Sequence, residues 1–438
     1  MFTVQPGQVL RRDADRWLGI NLNYIRDLDA NRVVGARPLA TALDDLGVRW
    51  LRYPGGEKSD FHRFAKPPYL QPAPVSLGWY AEPSGQRLDF DAYIALCRQR
   101  GAEPYVVVAC DNVKNCGASW DEQLEHAVAW VRYANAEKHY GVRYWEIGNE
   151  NWHNHTAPPD EMAGHVVRFA RAMRTVDPSI RIGASGSDDA WWQVFLPAAA
   201  AQLDVLTVSV YNCWGWKSYD RLLRAPEPDL LASAGSALRA IDALPAGPDR
   251  ERLRVIVAET NSVDYSADGW AKVNTLGHAL VTFESLGRML REPRITCAML
   301  WNTRWMDDAE APANQFYALN ARNGLMPSGQ AVALWGRGLL PHLLAVEGGS
   351  GPLRAHASAS ADGSAWTVWL VNRGLEPAAG VHVRLGGLVG TANLSCYHGN
   401  HPDDTAPVFD PPAAFVLADG AVGPLTLPPL SITVISRR

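Results

Sequence analysis

Tyr144-Trp145-Glu146-Ile147-Gly148-Asn149-Glu150 is the stretch from which the fold of this chain can be read. Four residues of strand-forming type run straight into a Gly-Asn-Glu turn, without the polar alternation of a strand that keeps one face in water. The stretch reads as a short strand buried on both faces, with a carboxylate delivered at its C-terminal end. Seven other runs share this texture, at 18–24, 48–53, 104–109, 180–185, 205–211, 254–259 and 296–301, and helix-period segments such as 121–140, 159–175 and 270–291 lie between them. Eight buried strands alternating with helices predict a parallel (β/α)8 barrel. An open doubly wound sheet that binds nucleotide would need a glycine-rich turn after its first strand. Here that strand is followed by Tyr24-Ile25-Arg26-Asp27.

The texture changes after a helix expected near 331–344. Gly348 to Gly351 reads as a linker, and strand-like runs such as 366–372 and 425–434 are then cut by Gly and Pro. The expected organisation is a catalytic barrel over 16–345 and an antiparallel β-sandwich over 346–438, joined by a strand from 1–15. The chain has 438 residues, 47% hydrophobic and 20% charged, with a net charge of −5, which excludes disorder and leaves no basic footprint for nucleic acid or an anionic membrane. No leader or membrane-spanning run is read in it, so a cytoplasmic location is expected. The six cysteines sit mostly in apolar runs, and only Cys110 and Cys116 are close enough in sequence to suggest a pair. His153-Asn154-His155 has no third ligand at a metal-binding spacing, so neither metal nor cofactor is expected. The 17 Trp residues offer flat faces on which sugar rings could stack.

In a barrel the strand ends build the active site. Read this way, the chain presents Asn21 and Asn23, Arg52, Asp111 and Asn112, Asn149 and Glu150, Ser185 and Ser187, Tyr211 and Asn212, Glu259, and Trp301 and Asn302. Glu150 ends the fourth run and Glu259 the seventh. Hydrolysis of a glycosidic bond needs two such carboxyl groups, one to protonate the leaving oxygen and one to attack the anomeric carbon. Tyr211 and Arg52 are expected to hold Glu259 ionised, Asn149 to donate to a sugar hydroxyl, and Trp301 to form a stacking floor. Asn23, Glu57, Trp152 and Trp214 complete the candidate substrate contacts.

These residues resemble the retaining glycoside hydrolases of clan A, with an Asn-Glu pair after strand four and a second Glu after strand seven. Leu51-Arg52-Tyr53-Pro54-Gly55-Gly56, together with Tyr144-Trp145 and Gly148-Asn149-Glu150, is most similar to the α-L-arabinofuranosidases. The resemblance implies Glu150 as acid/base, Glu259 as nucleophile, an oligosaccharide or glycoside substrate, no cofactor, and an assembly that could be homo-oligomeric. Glu57 stands where that family's pattern has Asn, Ser209-Val210-Tyr211 replaces its His-x-Tyr, and Ala258-Glu259-Thr260 replaces its Asp-Glu-Trp. A β-pyranosidase or endo-glycanase of the same clan therefore remains the alternative. A non-catalytic carbohydrate-binding barrel is disfavoured because both carboxylates are present.

Overall fold

The computed structural model describes residues 1–62, 64, 87–111, 118–224, 230–263, 270, 273–304, 317–387, 391–417 and 420–438. Asn112 and Cys116 lie outside the described residues. Eight parallel strands close into a barrel in sequence order: β2 Leu18–Asn21, β3 Trp50–Tyr53, β4 Glu103–Val108, β5 Tyr144–Ile147, β6 Arg181–Ser185, β7 Val205–Val210, β8 Arg254–Thr260 and β9 Ile295–Leu300. Their outward side chains pack under surrounding helices, whose starts follow local chemistry. Ser119 and Glu122 form a reciprocal capping box for helix Trp120–Val131, and Pro159 opens helix Pro159–Val176.

The barrel interior is layered. Trp50, Tyr105, Val205, Ile256 and Met299 fill its lower part, and Gly19 leaves room there because an added Cβ would strike Met299 and Trp50. Two residues further along β3, β5 and β7, the same inward face carries Arg52, Glu146 and Thr207, all buried. A packed apolar plug thus supports a polar floor at the strand ends.

The second sheet has nine strands in the order β15-β14-β17-β12-β11-β10-β1-β13-β16. They are β1 Phe2–Arg11, β10 His342–Gly348, β11 Leu353–Ala359, β12 Trp366–Asn372, β13 Ala378–Arg384, β14 Thr391–His398, β15 Val408–Val416, β16 Ala421–Leu427 and β17 Ser431–Arg437. The sheet is mixed rather than wholly antiparallel. β1 pairs antiparallel with β10 and parallel with β13, because a strand from the far end of the chain is not bound by hairpin geometry.

Three local expectations need correction. The helix read to 344 runs Pro327–Gly338, because Leu340 precedes Pro341 and a residue before proline avoids the helical region. Gly348 to Gly351 is the β10–β11 turn and not an interdomain linker, since β10 already belongs to the sheet; Gly348, Gly349 and Gly351 all take positive φ there. The run 425–434 is two strands, broken where Pro428 and Pro429 precede Leu430 at φ 46°.

Candidate active site

A cavity of about 820 Å³ opens at the C-terminal ends of the barrel strands. It is lined by Glu57, Glu150, Trp152, Tyr211, Trp214, Glu259 and Trp301 from the expected set, together with His153, Ser187, Ser209, Ala232 and Ser233. Residues from seven separate stretches of sequence therefore meet in one place.

Glu259 reaches the cavity through a β-bulge. On β8, Val257 is paired with Val208 but Glu259 with Ser209, so Ala258 is the additional residue. Ile256 and Ala258 face the barrel interior, and strict alternation would have turned Glu259 outward towards the helices. The bulge re-aims it inward. There Arg52 Nη1 donates to its Oε1 at 2.9 Å and the Tyr211 hydroxyl to its Oε2 at 2.7 Å.

Arg52, only 1% exposed, is the hub of the polar floor. It also donates to Glu146 Oε2 at 2.8 Å, Asn21 Oδ1 at 3.0 Å and Asn149 Oδ1 at 2.8 Å. Burial opposes its charge, but Glu146 and Glu259 outweigh burial and raise its pKa. Because Arg52 can only donate, it turns the Asn149 oxygen towards itself and leaves the amide NH2 as that residue's donor.

Glu150 sits at φ 45°, ψ 47°, in the left-handed region, and leads into the short helix Asn151–Asn154, which ends on His155 at φ 49°. A non-glycine residue there costs roughly 1–2 kcal/mol, a strain typical of functional turns. Gly148 makes the approach possible, because a Cβ on it would overlap the Asn151 side chain. The turn is pinned by Ser185 Oγ, which accepts from Asn151 N and donates to Asn151 Oδ1, both at 2.8 Å.

Burial and the charge of Glu150 raise Glu259 to about 7, while Arg52 and Tyr211 pull it back. Burial likewise raises Glu150, which is eased by the Ser209 hydroxyl and by Arg52. Glu57 is exposed at the cavity rim. The surrounding wall still desolvates its carboxyl enough to raise its pKa, against the pull of His153 and Lys58. Gly56, at φ 54°, lies so close to Trp301 that an added Cβ would fall inside the indole. The Pro-Gly-Gly turn therefore serves as the bed on which Trp301 rests.

Asn23 does not line this cavity. Its Nδ2 donates to the Arg304 carbonyl at 3.1 Å, its Oδ1 accepts from Ile25 N at 3.2 Å, and its own N–H donates to Asp27 Oδ2 at 2.7 Å. An asparagine at a strand end is well suited to satisfy the backbone of the following turn, and that is its use here. Two pairs of tryptophans close in sequence, Trp191 with Trp192 and Trp214 with Trp216, are each divided between core and surroundings. Trp214 is 61% exposed at the cavity while Trp216 is largely buried, and Trp192 is core beside the half-buried Trp191. Among the described residues, no group of three His, Cys, Asp or Glu side chains is arranged to hold a metal ion.

Several residues of the site escaped the sequence reading. Glu146 was legible, as a charge at an inward position of a buried strand. Asp60, 1% exposed, and Asn154 carried no such signal. Asn154 Nδ2 donates to Asp60 Oδ2 at 3.1 Å, to Asp111 Oδ1 at 3.0 Å and to the Asn149 carbonyl at 3.3 Å. Asn149 N in turn donates to Asp60 Oδ1 at 3.3 Å.

No family model matches the chain. In sequence it is 29% identical over 168 residues to α-L-arabinofuranosidase C of Emericella nidulans, covering 34% of this chain and 31% of that protein. It is 27% identical over 168 residues to an intracellular exo-α-(1→5)-L-arabinofuranosidase of Streptomyces lividans, covering 34% and 25%. The matched segment thus spans about a third or less of these relatives' length. Among solved structures, the arabinose complex of the α-L-arabinofuranosidase from Thermotoga maritima superposes with a TM-score of 0.78 at 20% identity, over 100% of this chain and 99% of that one. The fold is that of the α-L-arabinofuranosidases. The same architecture extends to CelM2, a bifunctional glucanase-xylanase from a metagenome library, with a TM-score of 0.64 at 14% identity over 99% and 98% of the two chains.

Proposed function

We propose that the chain is a retaining glycoside hydrolase acting on α-L-arabinofuranosides. The observation that carries this reading is the asymmetric pair of glutamates, Glu259 buried and Glu150 half-buried, facing one cavity. Glu259 accepts from both Arg52 and Tyr211, whereas among the described residues the Ser209 hydroxyl is the donor at Glu150, with Arg52 acting on it through charge alone. Two coupled carboxyl groups lose their protons in two steps that belong to the pair, and the remaining proton resides on the group with the fewer donors. That group is Glu150, so Glu259 is the anion.

In the first step a Glu259 oxygen attacks the anomeric carbon. The glycosidic bond breaks, and its oxygen leaves with the Glu150 proton. In the second step Glu150, now a carboxylate, takes a proton from water as that water's oxygen attacks the anomeric carbon and releases Glu259. The Asn149 NH2 is available to a sugar hydroxyl, and Trp301 supplies the floor. Trp152, His153 and Trp214 line the leaving-group side, and Glu57 accepts from a hydroxyl at the rim. The sequence similarity to arabinofuranosidases supports the choice of sugar, and action inside the cell draws support from the Streptomyces relative's name. A homo-oligomer belongs to the same reading, and sedimentation would test it.

One observation favours a second reading. Glu57 replaces the family's Asn at the cavity, and the fold also serves a glucanase-xylanase, so an endo-acting enzyme on a pyranoside backbone is the alternative. A panel of 4-nitrophenyl glycosides and oligosaccharides separates the two. Turnover of the α-L-arabinofuranoside, with the retained anomer appearing first by NMR, is expected. An inverted first product would remove Glu259 as nucleophile.

A further inference from the structure

Beneath the Glu150 turn, two buried carboxyl groups share one amide. Asp60 follows the Pro-Gly-Gly turn, Asp111 follows β4, and Asn154 closes the short helix that Glu150 opens. Asn154 Nδ2 has two hydrogens and three acceptors around it: Asp60, Asp111 and the Asn149 carbonyl. Asp60 also holds Asn149 N, so the residue before Glu150 and the residue that ends its helix are tied to the same carboxyl group. Among the described residues neither aspartate forms an ion pair, and both are essentially fully buried. A pair of carboxylates in that setting is kept together by retaining a proton. Accordingly, burial and Asp111 raise Asp60 well above the usual carboxylate range, and burial raises Asp111 to about 6.

This arrangement has a mechanical consequence. Glu150 occupies a left-handed backbone conformation that its own side chain disfavours, and so does His155 at the other end of the same turn. Ser185 fixes the turn from β6, and the aspartates fix it from the Pro-Gly-Gly turn and from β4. We propose that Asp60 and Asp111 are positioning residues which, through Asn154, hold the Glu150 carboxyl where it can donate its proton to the leaving group. This rests on Glu150 being the general acid. The pair touches neither substrate nor the reacting atoms.

The test compares kcat/KM on two aryl α-L-arabinofuranosides, one with the good leaving group 2,4-dinitrophenol and one with unsubstituted phenol. A substrate with a good leaving group needs little protonation, so misplacing the acid spares it. Asn154→Ala and Asp111→Ala are expected to lower kcat/KM on the phenyl glycoside about tenfold or more while changing the dinitrophenyl glycoside less than about threefold. Asp111→Asn, which can still accept from Asn154 and mimics the protonated acid, is expected to restore the phenyl glycoside to within about threefold of the parent. Equal losses on both substrates, or no loss in Asn154→Ala, would overturn the proposal, as would failure of Asp111→Asn to rescue. Glu150→Ala run alongside keeps the two readings separable. If it too loses both substrates equally, Glu150 is not the acid. If it shows the leaving-group split while the aspartate variants do not, only the positioning role fails.

Discussion

Glu150 and Glu259 are the same residue type in one cavity, and their surroundings give them different chemistry. Arg52 and Tyr211 stabilise one charge, and the other carboxyl is left to hold the proton. Replacing Glu259 with Ala should lower turnover of every substrate by about a thousandfold or more, with azide restoring it as an inverted glycosyl azide. Glu259→Gln should lower the pH at which the Glu150 carboxyl titrates, followed by carbon-13 NMR, because it removes the like charge against which Glu150 must lose its proton. An unmoved titration would mean that the two groups are not coupled. Glu57 offers a different residue-scale test. A carboxylate only accepts hydrogen bonds, so Glu57→Asn should cost about tenfold in kcat/KM on sugars whose hydroxyl it binds. If no substrate in the panel responds, Glu57 belongs to the rim and not to the sugar site.

At the scale of elements, two short turns and one bulge do the placing. The Pro-Gly-Gly turn carries Trp301 on Gly56, the Gly-Asn-Glu turn presents Glu150 with a left-handed backbone, and the bulge in β8 rotates Glu259 inward. Gly56→Ala adds a methyl group where the indole lies and asks for a positive φ that alanine disfavours. It should displace Trp301 and raise KM by about tenfold or more, while the far-ultraviolet circular dichroism of the barrel stays unchanged. Parent-like kinetics would show that Trp301 is not the substrate platform.

For the whole molecule, the N-terminal β1 lies inside the second sheet, between β10 and β13, so the two ends of the chain are stitched together across the barrel. Trp369 donates to the Leu334 carbonyl at 3.0 Å, and Tyr219 to the Arg373 carbonyl at 2.9 Å, carrying that sheet against the barrel. The buried acids set a global pH dependence. Asp111 ionises near 3.8 when unfolded and near 6 when folded, so between these values the native state binds more protons and stability falls as pH rises. The stabilisation is complete below the lower value and is lost as the pH rises through about 6. Thermal unfolding at pH 4.5 and pH 7.5 should show a smaller loss of Tm in Asp111→Asn than in the parent. An identical loss would assign the dependence to other groups.

The barrel was legible in the sequence because its cause is local. Eight short runs buried on both faces, separated by helix-period segments, admit few other architectures, and strand ends in a barrel announce which polar residues converge. Glu150, Glu259, Arg52, Tyr211 and Trp301 could be named on that basis. The inward turn of Glu259 could not, because a bulge is set by the register of neighbouring strands and contradicts the alternation from which facing is read. Nor could the destination of the Trp residues, since a flat ring serves core and cavity equally well. Trp17, Trp130, Trp145, Trp192, Trp335, Trp366 and Trp369 are fully buried, while Trp152, Trp214 and Trp301 line the cavity. The Asp60–Asp111–Asn154 bridge joins three distant turns through one amide. Asp111 could be named as a strand-end residue, but Asp60 and Asn154 look like ordinary loop residues until closure of the barrel removes the water that would otherwise have satisfied them.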